Sequence, residues 1–525
     1  MRLAWFSPLP PVHSGIAAYS LDVLQGLAGH HAIDLYVEDR VWQAAGGHLH
    51  AGRGPLTVPL EGPLGLPLLR AYDFPVAQER QPYDLIVYQM GNAACHRYQW
   101  PYLLRWPGLV VLHDAALHHA RAHALLSDRR DDDYRAEFRF NHPGVDPRVA
   151  DFVVAGLEGS PYYLWPMLRT VMCGARAVVV HGEPLRQALA EEFPGTPIRA
   201  VSMGVPDPWA GSEPRDAGSG PRAQGSESTL NGSGLGAQGS ESLPKADGRM
   251  TKAEAGSGLR TQGSESLPKA DSDVVVAAFG VITPEKRILP ILRALQVLRA
   301  DLPAVRLRLV GEIGEHYALW QDVARTGTRD LLEVTGYVDD DRLAAELRGA
   351  DVCLCLRWPT ARETSASWLR CLAAGKPTIV PDQLSTADVP TLDPRHWTLK
   401  HDRTDAAAVF QPPSPTRAVA VSVDLQDEQD MLVRALRRLV IDADLRASLG
   451  HNARGWWEAR HTLPRMHRDY EAALTWAAAQ PVPDRWPADA PAHLHPDTSR
   501  WARALVAPFD VDVDILESGS TSSGP

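Results

Sequence analysis

The sequence predicts an α/β protein with two Rossmann-like doubly wound domains. Three observations carry this. Short apolar runs alternate with helical patterns through the first two hundred residues, and the same alternation resumes at Val274. Between them, Ala210 to Asp273 contains no aromatic, isoleucine or valine residue. Strands alternating with helices imply parallel sheets, which hold ligands at the carboxyl ends of their strands.

In the first half, Leu3 to Phe6 reads as a strand, and Ser14-Gly15 opens a helix through Ile16, Tyr19, Leu21 and Leu24. Gly15 at a strand-to-helix turn lets a ligand approach the backbone, or serves the turn alone. Ile33 to Val37, Asp84 to Tyr88 and Leu109 to Leu112 follow as strands, then Ala177 to Val180 and Ile198 to Val201. The fourth strand ends in His113-Asp114, where such folds place reactive groups, and Asp114 is positioned to orient the imidazole. His118 and His119 lie nearby, but no cysteine or second carboxylate joins them at ligand spacing, so a zinc site is disfavoured. Gln89-Met90-Gly91-Asn92, with His96 close by, lines the same cleft or caps a helix, the second reading slightly ahead. Asp131 to Asp133 reads as loop.

The middle segment is rich in Gly, Ser, Pro, Gln and Ala. Gly232 to Asp247 is nearly repeated at Gly256 to Asp271, with a truncated copy from Gly218. So polar a composition cannot build a core and reads as a disordered linker. The chain is accordingly divided into 1–206, a linker 207–272, 273–455, a helix 456–480 packing back on the N-terminal domain, and a peripheral tail 481–525.

In the second half, Val274 to Phe279 is a strand, and Thr283-Pro284-Glu285-Lys286-Arg287 leads into a helix with Ile288, Ile291, Leu292 and Leu295 on one side. Cations at a helix start oppose the dipole, so Lys286 and Arg287 suit an anion better than a solvated surface pair. Leu307 to Val310 and Leu332 to Thr335 are further strands, and Asp339 to Asp341 caps the helix that follows. Asp351 to Leu356 is a strand, Ala361 to Ser365 an exposed turn, and Thr364 and Ser365 are N-caps for a helix that Gly375 and Pro377 stop before the strand Thr378 to Val380. That helix start suits a diphosphate. Glu363 at its mouth either accepts hydrogen bonds from sugar hydroxyls or complements the dipole, and both readings stand on local sequence. One long helix is expected around Met431 to Val440 and another through Trp456, Trp457, Met466 and Tyr470.

Composition excludes some classes. With 53 Lys plus Arg against 64 Asp plus Glu, the net charge of −11 argues against nucleic acid as main partner. Five cysteines without framework spacing fit reduced thiols. Met1 to Phe6 leads into prolines without an apolar signal core, and no run is long enough to span a bilayer. A cytoplasmic protein is expected, with peripheral association at the inner membrane left open.

The layout resembles the retaining glycosyltransferases of family 4, of GT-B architecture, in which two such domains face a cleft. The matching stretches are SPLPPVHSGIAAYS, VLHD, VSMGV, FGVITPEKR, VTGYVDDDRL and RETSASWLRCLAAGKP, spread in order over residues 1–206 and 273–475. The resemblance implies a nucleotide-sugar donor on the C-terminal domain, a glycan, lipid-linked or small-molecule acceptor on the N-terminal one, and no cofactor or bound metal. It implies that His113 contacts the transferred sugar, Glu363 holds sugar hydroxyls, and Gly15 and Lys286 approach the donor diphosphate; from their places at the two helix starts, Arg287, Thr364 and Ser365 are expected in the donor site as well. The leaving diphosphate would be stabilised electrostatically and could take the acceptor's proton. Two departures stand out. The arginine expected five residues before Lys286 is Val281, and the second glutamate of the paired motif is replaced by Arg370 or Cys371. Arg357, Arg287 or Arg362 is expected to restore the missing charge. The departures also keep open a degenerate protein that binds nucleotide or glycan without turnover, or a nucleotide-sugar epimerase.

Overall fold

The computed structural model describes residues 1–12, 14–47, 58–210, 274–302, 304–400, 417–483 and 486–495. The linker read at 207–272 lies, from residue 211 on, outside the described residues, as do 496–525 of the tail.

The first sheet has eight strands: β1 (Arg2–Phe6), β2 (Ala32–Val37), β3 (Leu60–Glu61), β4 (Pro67–Arg70), β5 (Leu85–Met90), β6 (Leu109–Leu112), β7 (Ala177–Val180) and β8 (Ile198–Ala200). Their order is β3-β4-β2-β1-β5-β6-β7-β8, parallel except for the edge pair β3 and β4. Central strands such as β5 and β6 are buried at every position, as parallel strands covered on both faces require. From β1 the chain builds first to one side (β2, β4, with β3 at the edge) and then to the other (β5 to β8), so the strand order reverses between β1 and β5 and opens a crevice at their carboxyl ends.

The second sheet repeats the plan with β9 (Val274–Phe279), β10 (Val305–Val310), β11 (Leu332–Val334), β12 (Val352–Leu354), β13 (Thr378–Pro381), β14 (Thr391–Asp393), β15 (Thr398–Leu399) and β16 (Ala420–Val423). The order is β11-β10-β9-β12-β13-β16-β14-β15, with only β14 and β15 antiparallel. Both sheets with their helices give the α/β, GT-B fold.

Three sequence expectations are corrected. Asp131 to Asp133 is not loop but the first turn of the helix Asp131–Asn141, where carboxylates meet the positive end of the dipole. The helix expected through Trp456 to Tyr470 is two, Ala443–Arg460 and Leu463–Ala478, because Thr462 turns extended and Pro464 starts a new helix. The second crosses onto the helix Gly15–Leu27, where the Tyr470 and Tyr19 hydroxyls are 2.8 Å apart. Nor is the start of the tail peripheral: Leu494 is fully buried, Asp489 pairs with Arg169 at 2.7 Å, and His493 meets Glu137 at 2.7 Å.

Candidate functional site

The carboxyl strand ends of both sheets meet at a cavity of about 570 Å³. The first half contributes Gly15, Tyr19, Asp22, His113 and Asp114; the second contributes Gly280, Arg357, Glu363, Thr364 and Ser367.

His113 follows β6 directly, and its N–H donates to Met90 O of β5 at 2.9 Å. Its Nε2 is 2.7 Å from Gln89 Oε1 and its Nδ1 3.3 Å from His181 Nε2. Tyr19 packs edge-on against the ring, 4.8 Å between centroids. Burial, with His181 and His96 adding to it, pushes His113 well below the usual histidine range, so the imidazole is neutral. The expectation that Asp114 orients His113 is corrected. Gln89 and His181 hold the ring, while Asp114 Oδ2 accepts the Asn92 N–H at 2.6 Å. Asn92 Oδ1 in turn accepts from Ala120 N, the helix-capping role favoured for this segment.

Glu363 sits on the loop before the helix Ala366–Ala373. Thr360 Oγ1 donates to its Oε2 at 2.7 Å, and Arg357 Nε lies 2.5 Å from its Oε1. Thr364 Oγ1 donates to His181 O at 2.9 Å, joining this loop to the first half. Ser365 is the helix N-cap, its Oγ accepting from Trp368 N at 3.2 Å, and it does not line the cavity. Ser367 lines it instead.

Gly280, at the end of β9, has φ +88, a conformation that side chains rarely adopt. A Cβ there would meet Lys286 Nζ at 3.2 Å and Ser367 Oγ at 3.3 Å. The bare glycine thus leaves a niche between an ammonium and the N-terminus of the helix Ala366–Ala373, a setting that suits an anion. Lys286 Nζ donates to Phe279 O. Burial first, then Arg357, lowers Lys286 to about 8.

Arg287 does not join this group: its guanidinium binds Glu428, and Arg362 is likewise outside the cavity wall. Arg357 is in the wall, and so is the uncharged Val281. Arg370, one of the two residues at the place of the absent second glutamate, also lines the cavity and pairs with Asp340 at 3.0 Å. Asp339 caps the helix Asp340–Gly349 by accepting from Arg342 N at 2.8 Å. His118 is a core residue, between Tyr134 OH at 2.8 Å and Pro161 O at 3.1 Å. Among the described residues no group of three or more His, Cys, Asp or Glu is placed to hold a metal ion. No described helix is long and apolar enough to cross a membrane.

Gln89 lies in the stretch read as lining the cleft or capping a helix, and it holds the His113 ring, whereas sequence reasoning missed His181 and Ser367 as site residues. Ser367 carried a signal, a hydroxyl one turn inside a helix start. His181 ends β7 as His113 ends β6, and that shared strand-end position could have found it.

Comparison with known proteins adds the chemistry. Residues 273–407 match the family model described as glycosyl transferases group 1. No curated protein sequence matches the chain. Sucrose-phosphate synthase from Thermosynechococcus elongatus superposes with a TM-score of 0.53 at 12% identity, over 91% of this chain and 98% of that one. HepE from Anabaena, in complex with UDP and glucose, gives 0.52 at 12% identity over 91% and 100%. HepE with UDP-glucose gives 0.50 at 13% identity over 91% and 100%. The chain therefore carries a glycosyl transferases group 1 domain within a GT-B fold, the build of a glycosyltransferase enzyme.

Proposed function

We propose that the chain transfers a sugar from a nucleoside-diphosphate sugar to a hydroxyl-bearing acceptor with retention of anomeric configuration, as in family 4. The observation that carries this reading is the niche at Gly280. There Lys286 and the helix start Ala366–Ala373 converge beside Glu363 and opposite His113. A diphosphate in that niche would meet the Lys286 ammonium, the Ser367 hydroxyl and free helix N–H groups, with Arg357 close enough to supply the charge that Val281 lacks. Their effect grows as the leaving group gains charge, which is transition-state stabilisation without a covalent enzyme intermediate. Gly15 at the facing helix start keeps that side open to the phosphates. Glu363 accepts hydrogen bonds from the sugar hydroxyls, held in place by Thr360 and Arg357. His113 is neutral and held at both ring nitrogens, so it presents a fixed surface to the sugar rather than a proton.

UDP is the first nucleotide to try, because the HepE structures hold UDP, UDP with glucose, and UDP-glucose. A thermal-shift screen of UDP-, GDP- and ADP-sugars tests donor binding, since a ligand of the native state alone raises the melting point. Transfer products read by NMR for anomeric configuration test the reaction. Inverted product would remove the retaining assignment, and stabilisation by no nucleotide sugar would remove the donor assignment.

A further inference from the structure

The strand order of the second sheet gives the donor a direction. β12 lies on one side of β9, and the loop after it carries Arg357 and Glu363 toward His113 and Asp114. β10 and β11 lie on the other side, and the residues after them bring Gly311, Glu312, Tyr337 and Val338 to the same cavity. A diphosphate seated at Gly280, on the end of β9, therefore has its sugar over β12, where His113 of the first half faces it. Its nucleoside runs over β10 and β11. Neighbouring strands lie ~4.8 Å apart, so the ribose falls beside the first residues after β10.

Glu312 stands there. The chain around it is fixed: the Ile282 N–H donates to Glu312 O at 2.7 Å, and the Gly314 N–H to Ile282 O at 2.9 Å. Gly311, with φ +149, presses so closely on the Gly280 carbonyl that no Cβ fits between them. Glu312 thus adjoins the niche, and its carboxylate makes no hydrogen bond or ion pair among the described residues. The cavity's other carboxylates are placed elsewhere. Asp114 lies at the sugar end, as does Glu363, whose buried Oε1 is paired with Arg357 but accepts no hydrogen bond. Asp22 faces the Arg370 guanidinium. Of the two residues at the place of the absent second glutamate, Cys371 is fully buried and Arg370 is paired with Asp340. A guanidinium only donates, so that place has no acceptor for a ribose hydroxyl.

We propose that Glu312 recognises the donor's ribose, its two carboxylate oxygens accepting from the 2′- and 3′-hydroxyls. The inference rests on the nucleotide-sugar reading of this cavity. Doubly wound sheets that bind dinucleotides use the same device, an acid beyond the phosphate turn that hydrogen-bonds a ribose hydroxyl. A carboxylate accepts at both oxygens and cannot donate, so it matches the paired O–H groups of a cis-diol. The ligand class that fits is a ribonucleoside-diphosphate sugar with a free diol. A 2′-deoxy nucleotide forfeits one hydrogen bond, and a 2′- or 3′-phosphate meets like charge.

Glu312→Ala is a clean probe, because the side chain is exposed and holds no other described part of the protein. Calorimetric titration of the full chain with UDP, GDP and ADP finds the preferred base, and the 2′-deoxy form of that nucleotide follows. Wild type should bind the ribonucleotide about 10-fold more tightly than the deoxynucleotide, the effect of one hydrogen bond to a charged group. Glu312→Ala should weaken the ribonucleotide about 30-fold and shrink that preference to within threefold. The proposal is overturned if wild type does not distinguish the two forms. It is equally overturned if Glu312→Ala keeps the tenfold preference, whatever happens to affinity. Arg370→Ala is the control: if it removes the preference and Glu312→Ala does not, the ribose lies on the arginine and the proposal falls. If wild type binds none of the three nucleotides, the nucleotide-sugar reading fails and this proposal with it. That result is distinct, because the other failures leave wild-type nucleotide binding intact.

Discussion

The hydroxyl of Thr364 donates a hydrogen bond to the backbone carbonyl of His181, 2.9 Å away and 183 positions earlier in the chain. His181 in turn meets His113 through its ring. The loop carrying Glu363 is thereby tied to the strand end carrying His113, across the cavity rather than around it.

Thr364→Val keeps the shape and removes the donor, leaving the His181 carbonyl without its partner. One neutral hydrogen bond contributes about 1 kcal/mol, so the loosened loop should lower kcat/KM for the donor roughly 3- to 10-fold. Steady-state kinetics with a melting curve separates the outcomes. A change of several degrees in Tm with kcat/KM unaltered would place the bond's role in stability alone.

Lys286 gives donor binding a defined pH dependence. Its ammonium is lowered to about 8 by burial and by Arg357. A group whose charged form is disfavoured loses its proton as pH rises through that value, and a diphosphate prefers the ammonium. Donor affinity should therefore be full below pH 7 and fall as pH climbs through about 8. Lys286→Met should weaken binding on the order of 10-fold or more and flatten this dependence. Calorimetric titration of a nucleoside diphosphate between pH 6.5 and 9.5 reads both effects.

The parts of this site that the sequence disclosed are those fixed by local pattern. His113 follows a buried apolar run, and Ser14 and Ser365 cap helices through contacts two or three residues away. Partners distant in the chain were not legible. Arg287 has the local setting of an anion ligand, yet Glu428, 141 positions on, claims its guanidinium. Gln89 and His181 reach His113 only because β5, β6 and β7 are neighbours in the sheet. The strands β14 and β15, of three and two residues, carry too few positions for an apolar pattern, and β16 was missed although it lies in the apolar run Ala418 to Val423.

Gly280→Ala tests the niche without removing any charged group. The alanine must hold φ near +88, and its methyl would sit 3.2 Å from Lys286 Nζ and 3.3 Å from Ser367 Oγ. Strain of this kind costs about 1–3 kcal/mol. The variant should fold with a lowered Tm and lose donor-induced stabilisation. Undiminished stabilisation by the preferred nucleotide sugar would show that the diphosphate does not lie there.

The start of the tail gives a prediction about acid stability. Glu137 is fully buried; burial alone would raise its carboxyl, but the Arg121 guanidinium and His493 outweigh that and hold it at about 2. Arg121 Nε donates to Glu137 Oε2 at 2.6 Å, His493 Nε2 lies 2.7 Å from Oε1, and His493 Nδ1 lies 3.0 Å from Asp133. A folded value below the unfolded one means the carboxylate contributes stability above about pH 4.5, lost as pH falls toward 2. Glu137→Gln should cost about 3–5 kcal/mol at pH 7, because Arg121 is left buried without its counter-charge, and far less at pH 3. His493→Ala should cost less at pH 7, since Arg121 still neutralises Glu137. Urea unfolding of the three proteins at both pH values checks the ordering. Equal losses for the two variants at pH 7 would mean that His493, not Arg121, is the main partner of this carboxylate.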